Sequence, residues 1–113
     1  MAATCDTKIV NISVKQLRPE YENLLEWLEN PNHIYIGRNM EFYVPGAKKS
    51  KWHNPFKVKQ MGIDESLNRY EKYIRESELI NELDELRGKV LGCWCTPNKC
   101  HGDVLIKLIN ENQ

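Results

Sequence analysis

Three thiols and an imidazole lie within nine residues in the last fifth of the chain. Cys93, Cys95, Cys100 and His101 are side chains of the types that zinc takes as tetrahedral ligands. Structural zinc sites usually divide their ligands between two well-separated pairs, whereas here one short segment would supply all four. Zinc binding by these four residues is therefore one hypothesis. A small buried core residue is the simpler interpretation of Cys93 alone.

Cys100 lies at the expected start of the last helix. Free N–H groups and the helix dipole at such a position favour an anion and lower the pKa of a thiol. Cys100 is accordingly a candidate nucleophile, with His101 and Asp103 as candidate catalytic partners. Alternatively, the backbone from Cys100 through Gly102 to Asp103 binds a phosphate or carboxylate, or the segment is an ordinary helix cap. Asp103 itself could cap the helix, orient His101 or accept a hydrogen bond from a ribose hydroxyl.

A second candidate region, residues 45–59, interleaves lysines with aromatic side chains. Lys51 precedes Trp52, and lysines beside an aromatic ring are typical of nucleotide or nucleic-acid recognition. The alternative is that Trp52 anchors a solvated loop to the core. Asn54 precedes Pro55, and this pair predicts an Asx turn that positions neighbouring side chains. Lys51, Trp52 and Asn54 are therefore candidate ligand-binding residues.

The charge of the chain is zero overall but unevenly distributed. The 113 residues carry 16 Lys and Arg against 16 Asp and Glu, with 41% hydrophobic residues, which is typical of one globular domain spanning residues 1–113. Residues 38–59 hold six basic residues and one acidic residue, whereas residues 64–86 hold eight acidic and three basic residues. This distribution excludes a uniformly polycationic protein. It also suggests an interaction domain, or a homodimer joined by opposite charges.

The sequence also predicts a location. No run approaches the roughly 20 apolar residues of a membrane span, and the first residues lack the pattern of a signal peptide. Three of the four cysteines are crowded together, which favours thiols or metal thiolates over disulfides and hence a reducing compartment. We therefore expect a cytoplasmic protein without a membrane contact, in the host cytoplasm if the chain is viral.

Hydrophobic patterning predicts a small α/β layered fold, Rossmann-like, with a short, mostly parallel sheet flanked by helices. Residues 8–14, 33–37 and 89–95 are predicted strands. A helix is expected from Pro19 to Asn30, and further helices are expected after Asp64 and Ser77 and from His101. Between residues 39 and 63 no period is sustained, and we expect a long functional loop with a short strand at 41–44.

The predicted strands bring the candidate residues together. Arg38 follows the second strand, and Cys95 through Gly102 follow the third. Because parallel strands end at the same edge of a sheet, and ligands of such sheets bind there, these residues are expected to line one site.

The segments Lys51-Trp52-His53-Asn54-Pro55-Phe56 and Cys93-Trp94-Cys95-Thr96-Pro97, followed by Cys100-His101-Gly102-Asp103, resemble a small domain family of unknown function found in bacteria and viruses. The resemblance covers about residues 31–109. It implies that Arg38, Trp52, Asn54, Cys95, Cys100, His101 and Asp103 cluster, without implying what they do. A small residue is common in the family at the position of His53, so no role is assigned to that histidine.

The leading hypothesis is a domain that binds a phosphate-bearing nucleotide or a nucleoside-like ligand, and enzymatic processing of that ligand is an extension of this hypothesis. Arg38 and the start of the last helix would hold the anion, and Trp52 would stack on the ligand or form a wall of its pocket. The first alternative is a DNA- or RNA-binding module in which a structural zinc ion is bound by Cys93, Cys95, Cys100 and His101. The second is the interaction domain without catalysis.

Overall fold

Three short parallel strands form the centre of the molecule. The computed structural model describes residues 7–94 and 99–111. Its strands are β1 (Lys8–Asn11), β2 (His33–Tyr35) and β3 (Val90–Cys93), in the order β1-β3-β2 with both pairings parallel. The predicted α/β fold with a parallel sheet is therefore confirmed.

Side chains of β3 alternate between two hydrophobic layers, as the pleat of a strand requires. Leu91 and Cys93 are buried with the later helices, in a cluster that includes Ile74, Leu86 and Leu105. On the other face, Trp94 packs against a second cluster that includes Ile12, Leu17, Leu24 and Trp27. Cys93 and Trp94 therefore lie on opposite faces of the sheet.

The helices differ widely in length. The short helices are α1 (Val14–Leu17), α2 (Leu24–Trp27) and α3 (Val58–Met61), and the longer helices are α4 (Ile63–Glu76) and α5 (His101–Glu111). A 3₁₀ helix spans Glu78–Leu86 between α4 and β3. The 3₁₀ helix, α4 and α5 cover one face of the sheet, and α1 and α2 cover the other.

The prediction of one helix from Pro19 to Asn30 is wrong. Pro19 lies between α1 and α2, and the second of these has a single turn. The side-chain oxygen of Asn23 accepts a hydrogen bond from the Glu26 N–H at 2.9 Å, and this cap starts α2 at Leu24, five residues after Pro19.

The predicted strand at residues 41–44 is also wrong, because this segment is a turn. The N–H groups of Tyr43 and Val44 both donate to the carbonyl of Met40, at 3.0 and 2.8 Å. Gly46 follows with φ of 95°, a conformation in which residues other than glycine are strained. These local bonds satisfy the backbone without a strand partner.

Helix starts after residue 62 differ from the predictions in detail. α4 begins at Ile63 rather than after a cap at Asp64, and Gly62, with φ of 84°, precedes it. Asp64 lies in the first turn, where a carboxylate interacts favourably with the helix dipole. Ser77 caps the next helix as predicted, since its hydroxyl oxygen accepts from the Leu79 N–H, but that helix is 3₁₀.

Candidate functional site

Hydrogen bonds tie the carboxyl ends of the three strands together. The Tyr35 hydroxyl donates to the carbonyl of Arg38 at 2.6 Å and accepts from the indole Nε1–H of Trp94 at 2.9 Å. The side-chain amide of Asn11 donates to the Trp94 carbonyl at 3.4 Å. Burial raises the pKa of Tyr35, so its hydroxyl keeps the proton that it donates. The carboxyl edge of the sheet, where the ligand site was predicted, is therefore held together by hydrogen bonds.

Two thiols and an imidazole meet where β3 ends and α5 begins. Sγ of Cys100 lies 3.0 Å from Sγ of Cys93 and 3.6 Å from Nδ1 of His101. On the other side of the ring, His101 Nε2 lies 2.7 Å from the carbonyl oxygen of Ile36. A neutral imidazole protonated at Nε2 donates to that carbonyl and turns the Nδ1 lone pair toward Cys100. Burial lowers the pKa of His101, which favours the neutral ring.

Asp103 caps the helix that Cys100 precedes. Its carboxylate accepts a hydrogen bond from the Cys100 N–H at 3.0 Å, and its own N–H donates to the Cys100 carbonyl at 2.9 Å. The Gly102 N–H donates to the Cys100 sulfur at 3.4 Å. This pattern resembles a capping box with a thiol in place of a hydroxyl. Three of the backbone amides that were candidates for anion binding, those of Cys100, Gly102 and Asp103, therefore already donate hydrogen bonds within the protein.

Gly102 allows α5 to pack closely on the sheet. A Cβ at this position would lie 2.8 Å from Cδ1 of Ile9 and 3.0 Å from Cδ1 of Ile36. Both distances are shorter than ordinary carbon contacts. Packing therefore explains this glycine without a ligand.

Trp52 is an internal residue, with 1% of its surface exposed. Its indole Nε1–H donates to the carboxylate of Glu85 at 3.0 Å, and its carbonyl accepts from the Tyr70 hydroxyl at 2.6 Å. Lys51 Nζ lies 2.6 and 2.9 Å from the carboxylates of Glu82 and Glu85, and these bonds raise the pKa of Lys51. The lysine-rich region of residues 45–59 and the acidic region of residues 64–86 thus meet within one chain.

Asn54 forms the predicted Asx turn. Its side-chain oxygen accepts from the Phe56 N–H at 3.0 Å, and its amide donates to the hydroxyl of Ser66 at 2.8 Å. The Ser66 hydroxyl donates in turn to the Phe56 carbonyl at 2.6 Å. Asn54 therefore attaches its loop to α4.

Arg38 is an exposed candidate residue that follows β2. It opens a loop, here called the 37–50 loop, whose ends meet through a hydrogen bond from the Ser50 N–H to the Gly37 carbonyl at 3.1 Å. A second bond, from the Met40 N–H to the Ala47 carbonyl at 2.8 Å, pairs the two sides of the loop. Because these two bonds hold the two sides of the loop together, Arg38 on one side lies opposite the exposed residues Lys48 and Lys49 on the other.

Two large aromatic side chains stand at the tip of the 37–50 loop. Phe42 is 92% exposed and Tyr43 75% exposed, and their rings lie edge to face with centroids 5.1 Å apart. Both residues were predicted to lie in a strand and were therefore not among the candidate site residues. The signal that identifies them is the Pro45-Gly46 pair, one residue after the aromatic pair, which predicts a turn with exposed rings.

The structure brings together only part of the predicted site. Cys93, Cys100, His101 and Asp103 adjoin, and Tyr70 links this corner to Trp52, because its ring lies 5.2 Å from that of His101. Cys95 lies outside the described residues. Within residues 7–94 and 99–111, no three Cys, His, Asp or Glu side chains are arranged to hold a metal ion. The zinc hypothesis, which includes Cys95, stays a prediction.

The parallel three-stranded sheet with a helical layer on each face makes this protein a small α/β domain. More specifically, the chain belongs to the family described as a domain of unknown function, DUF4326, whose model matches residues 21–111. The predicted resemblance is thus confirmed, and the match extends ten residues before and two residues after the range expected.

Two curated relatives are viral proteins. The chain is 42% identical over 84 residues to "Uncharacterized protein R718" of Acanthamoeba polyphaga mimivirus, which covers 66% of this chain and 65% of that protein. It is 50% identical over 29 residues to the "Uncharacterized 12.4 kDa protein in nrdA-td intergenic region" of Enterobacteria phage T4, covering 26% and 27% of the two chains. The chain therefore spans less than two thirds of these relatives. No solved structure matches it.

None of the helices in residues 7–94 and 99–111 combines the length and the apolar character that a membrane-crossing helix needs.

Proposed function

We propose that the 37–50 loop binds a phosphate-bearing nucleotide at the carboxyl edge of the sheet. The observation that carries the proposal is the exposure of Phe42 and Tyr43 on an ordered loop that also bears Arg38, Lys48 and Lys49. Aromatic faces stack on bases, and cations attract phosphate. The proposal keeps the ligand class expected from the sequence but transfers the stacking role from Trp52 to the loop tip.

Charge supports this assignment. Residues 38–50 contain three basic residues and a single acidic one, Glu41. Among residues 7–94 and 99–111, none of Arg38, Lys48 and Lys49 forms a salt bridge. Lys51, by contrast, is held by two carboxylates. The three cations therefore retain charge that an anionic ligand can neutralise.

Binding is proposed rather than turnover. Cys100 is 1% exposed and His101 8% exposed, and Asp103 is engaged as a cap. A nucleophile and a base must reach the reacting atoms of a substrate. These three residues are therefore better suited to a structural role inside the protein than to reaction with a ligand on the exposed 37–50 loop. A cytoplasmic location is part of the same proposal, since nucleotides are abundant there.

Titration calorimetry of the full chain with nucleoside triphosphates tests the proposal. Phe42→Ala and Tyr43→Ala should each weaken binding about 5- to 100-fold, the loss expected for one stacked base, while Tyr43→Phe should retain most of the affinity. Arg38→Gln should weaken binding, whereas Lys8→Gln, an exposed lysine at the amino end of β1, is the charge control. Equal affinity of wild type and the loop variants would refute the proposal.

Single-stranded nucleic acid is the second candidate. The observation that favours it is the same high exposure of two adjacent rings, because a continuous strand can stack on rings that stand on an open surface. A short single-stranded oligonucleotide should then bind more tightly than a mononucleotide, and its affinity should fall steeply with salt. Tighter binding of the mononucleotide with a weak salt dependence would exclude this candidate.

A further inference from the structure

The pair Cys93 and Cys100 has a geometry that neither nucleotide binding nor helix capping requires. Cys93 is the last residue of β3, and Cys100 immediately precedes α5. Their sulfur atoms are 3.0 Å apart, and each residue is only 1% exposed. A disulfide joins sulfurs at about 2.05 Å, so bond formation needs an approach of about 1 Å. Both residues already belong to one packed cluster.

The surroundings of Cys100 favour its thiolate over that of Cys93. The Gly102 N–H donates to its sulfur, and the Nδ1 lone pair of His101, 3.6 Å from the same atom, can accept the thiol proton. A donor N–H stabilises the thiolate, and the first turn of a helix has the same effect. Cys100 therefore has the features of the attacking sulfur, and Cys93 lies where a resolving sulfur must lie.

We propose that Cys93 and Cys100 form a reversible disulfide when the protein meets a hydroperoxide. In the first step, the Cys100 thiolate attacks the peroxide oxygen, an S–O bond forms and the O–O bond breaks, which gives a sulfenic acid and, with hydrogen peroxide, hydroxide. In the second step, the Cys93 sulfur attacks the sulfenic sulfur, the S–S bond forms and water leaves. The net change converts two thiols and one peroxide into one disulfide and two waters.

A small oxidant suits the burial of the site. Hydrogen peroxide has only four atoms and is therefore small enough to approach a buried sulfur. Exchange with a bulky disulfide, by contrast, requires the attacking sulfur to be accessible. Reduction by a dithiol then restores the two thiols with uptake of two electrons and two protons. The disulfide would clamp the end of β3 to the start of α5, across residues 94–99. The proposal is independent of nucleotide binding, because it concerns residues that the 37–50 loop does not contain.

Proteolysis separates the two cysteines, which makes the bond directly detectable. Trypsin cleaves after Lys89, Lys99 and Lys107, so Cys93 lies in the peptide 90–99 and Cys100 lies in the peptide 100–107. The folded full chain is treated with hydrogen peroxide, remaining thiols are alkylated under denaturing conditions, and the digest is analysed by mass spectrometry. We expect the peptides 90–99 and 100–107 to be joined, with a mass about 2 Da below their sum, and to separate on treatment with dithiothreitol.

Cys95 shares a peptide with Cys93, so fragmentation spectra must locate the bond. The Cys5→Ser/Cys95→Ser variant, which keeps only Cys93 and Cys100, gives the same answer without fragmentation. A bond from Cys100 to Cys95 or Cys5 in the wild type would overturn the proposal. So would full alkylation of Cys93 and Cys100 after peroxide treatment, or a tightly bound zinc ion that protects both thiols.

Cys93→Ala supplies the matched control. Without a resolving sulfur, Cys100 should accumulate as sulfinic and sulfonic acid, with gains of about 32 and 48 Da on the peptide 100–107. Should this variant not fold, the wild-type digest decides alone. An unmodified Cys100 in the folded variant would contradict its role as the attacking sulfur.

Discussion

The imidazole Nε2 of His101 lies 2.7 Å from the carbonyl oxygen of Ile36. This contact joins the first residue of α5 to the backbone just beyond β2, across 65 residues of sequence. The ring of Tyr70 packs edge to face against the same imidazole, so a residue of α4 covers it. His101 is therefore a structural link between three elements.

The burial of His101 predicts a loss of stability in weak acid. Burial lowers the pKa of His101 below its usual 6.5, so the unfolded chain binds more protons than the folded one between the folded-state pKa and about 6.5. The free energy of unfolding should therefore fall as the pH is lowered through this window. Denaturant titrations between about pH 7.5 and pH 5 measure it.

His101→Gln is the control for this pH effect. The glutamine amide can donate to the Ile36 carbonyl but does not titrate. The variant should lose part of the pH dependence between about pH 7.5 and pH 5 while remaining folded. An unchanged pH profile would assign the dependence to other groups.

Asp103→Ala should destabilise the protein by about 0.5–2 kcal/mol, because it removes the acceptor of the Cys100 N–H. Asp103→Asn retains a side-chain oxygen at this position and should cost less. Urea denaturation of both variants provides the measurement. If the alanine variant were as stable as wild type, the cap would contribute nothing to stability.

Gly102→Ala sets two effects against each other. Alanine favours a helix by about 1 kcal/mol over glycine, but overpacking costs about 1–3 kcal/mol. Since the new Cβ would lie 2.8 Å from Cδ1 of Ile9, we expect net destabilisation. Ile9→Val removes that atom, so the double variant should lose less stability than the sum of the two single losses. Additive losses in thermal denaturation would argue against this contact.

Trp52→Phe should lower the free energy of unfolding by about 1–3 kcal/mol, because it leaves a space in the core and removes the donor to Glu85. The matched variant Glu85→Gln keeps an acceptor for the indole and weakens only an exposed ion pair with Lys51. It should cost less than about 1 kcal/mol. Equal effects of the two variants on chemical denaturation would contradict the buried role of Trp52.

The fold was more predictable from sequence than the site was. The third strand, predicted at residues 89–95 and observed at Val90–Cys93, and the helix beginning at His101 follow from runs of apolar residues bounded by turn-forming residues. The turn at Asn54 follows from a local side-chain bond. Such features depend on a few consecutive residues, which sequence analysis can read.

The environment of Trp52 depends on distant residues and could not be predicted in the same way. Its partners Tyr70 and Glu85 follow it by 18 and 33 residues. Neighbouring lysines left two interpretations open, an exposed stacking ring and a ring that anchors its loop to the core, and the burial of Trp52 agrees with the second. For Phe42 and Tyr43 the prediction was wrong, since a predicted strand would have covered rings that a turn exposes.

The central position of β3 has a consequence for biosynthesis. Within residues 7–94 and 99–111, β1 and β2 do not pair with each other, and each pairs with β3 alone. Lys8 pairs with Val90, so the first strand must wait for its partner until most of the chain has left the ribosome. Until then the edges of β1 and β2 that pair with β3 have no partner, and unpaired edges of this kind favour aggregation of a nascent chain.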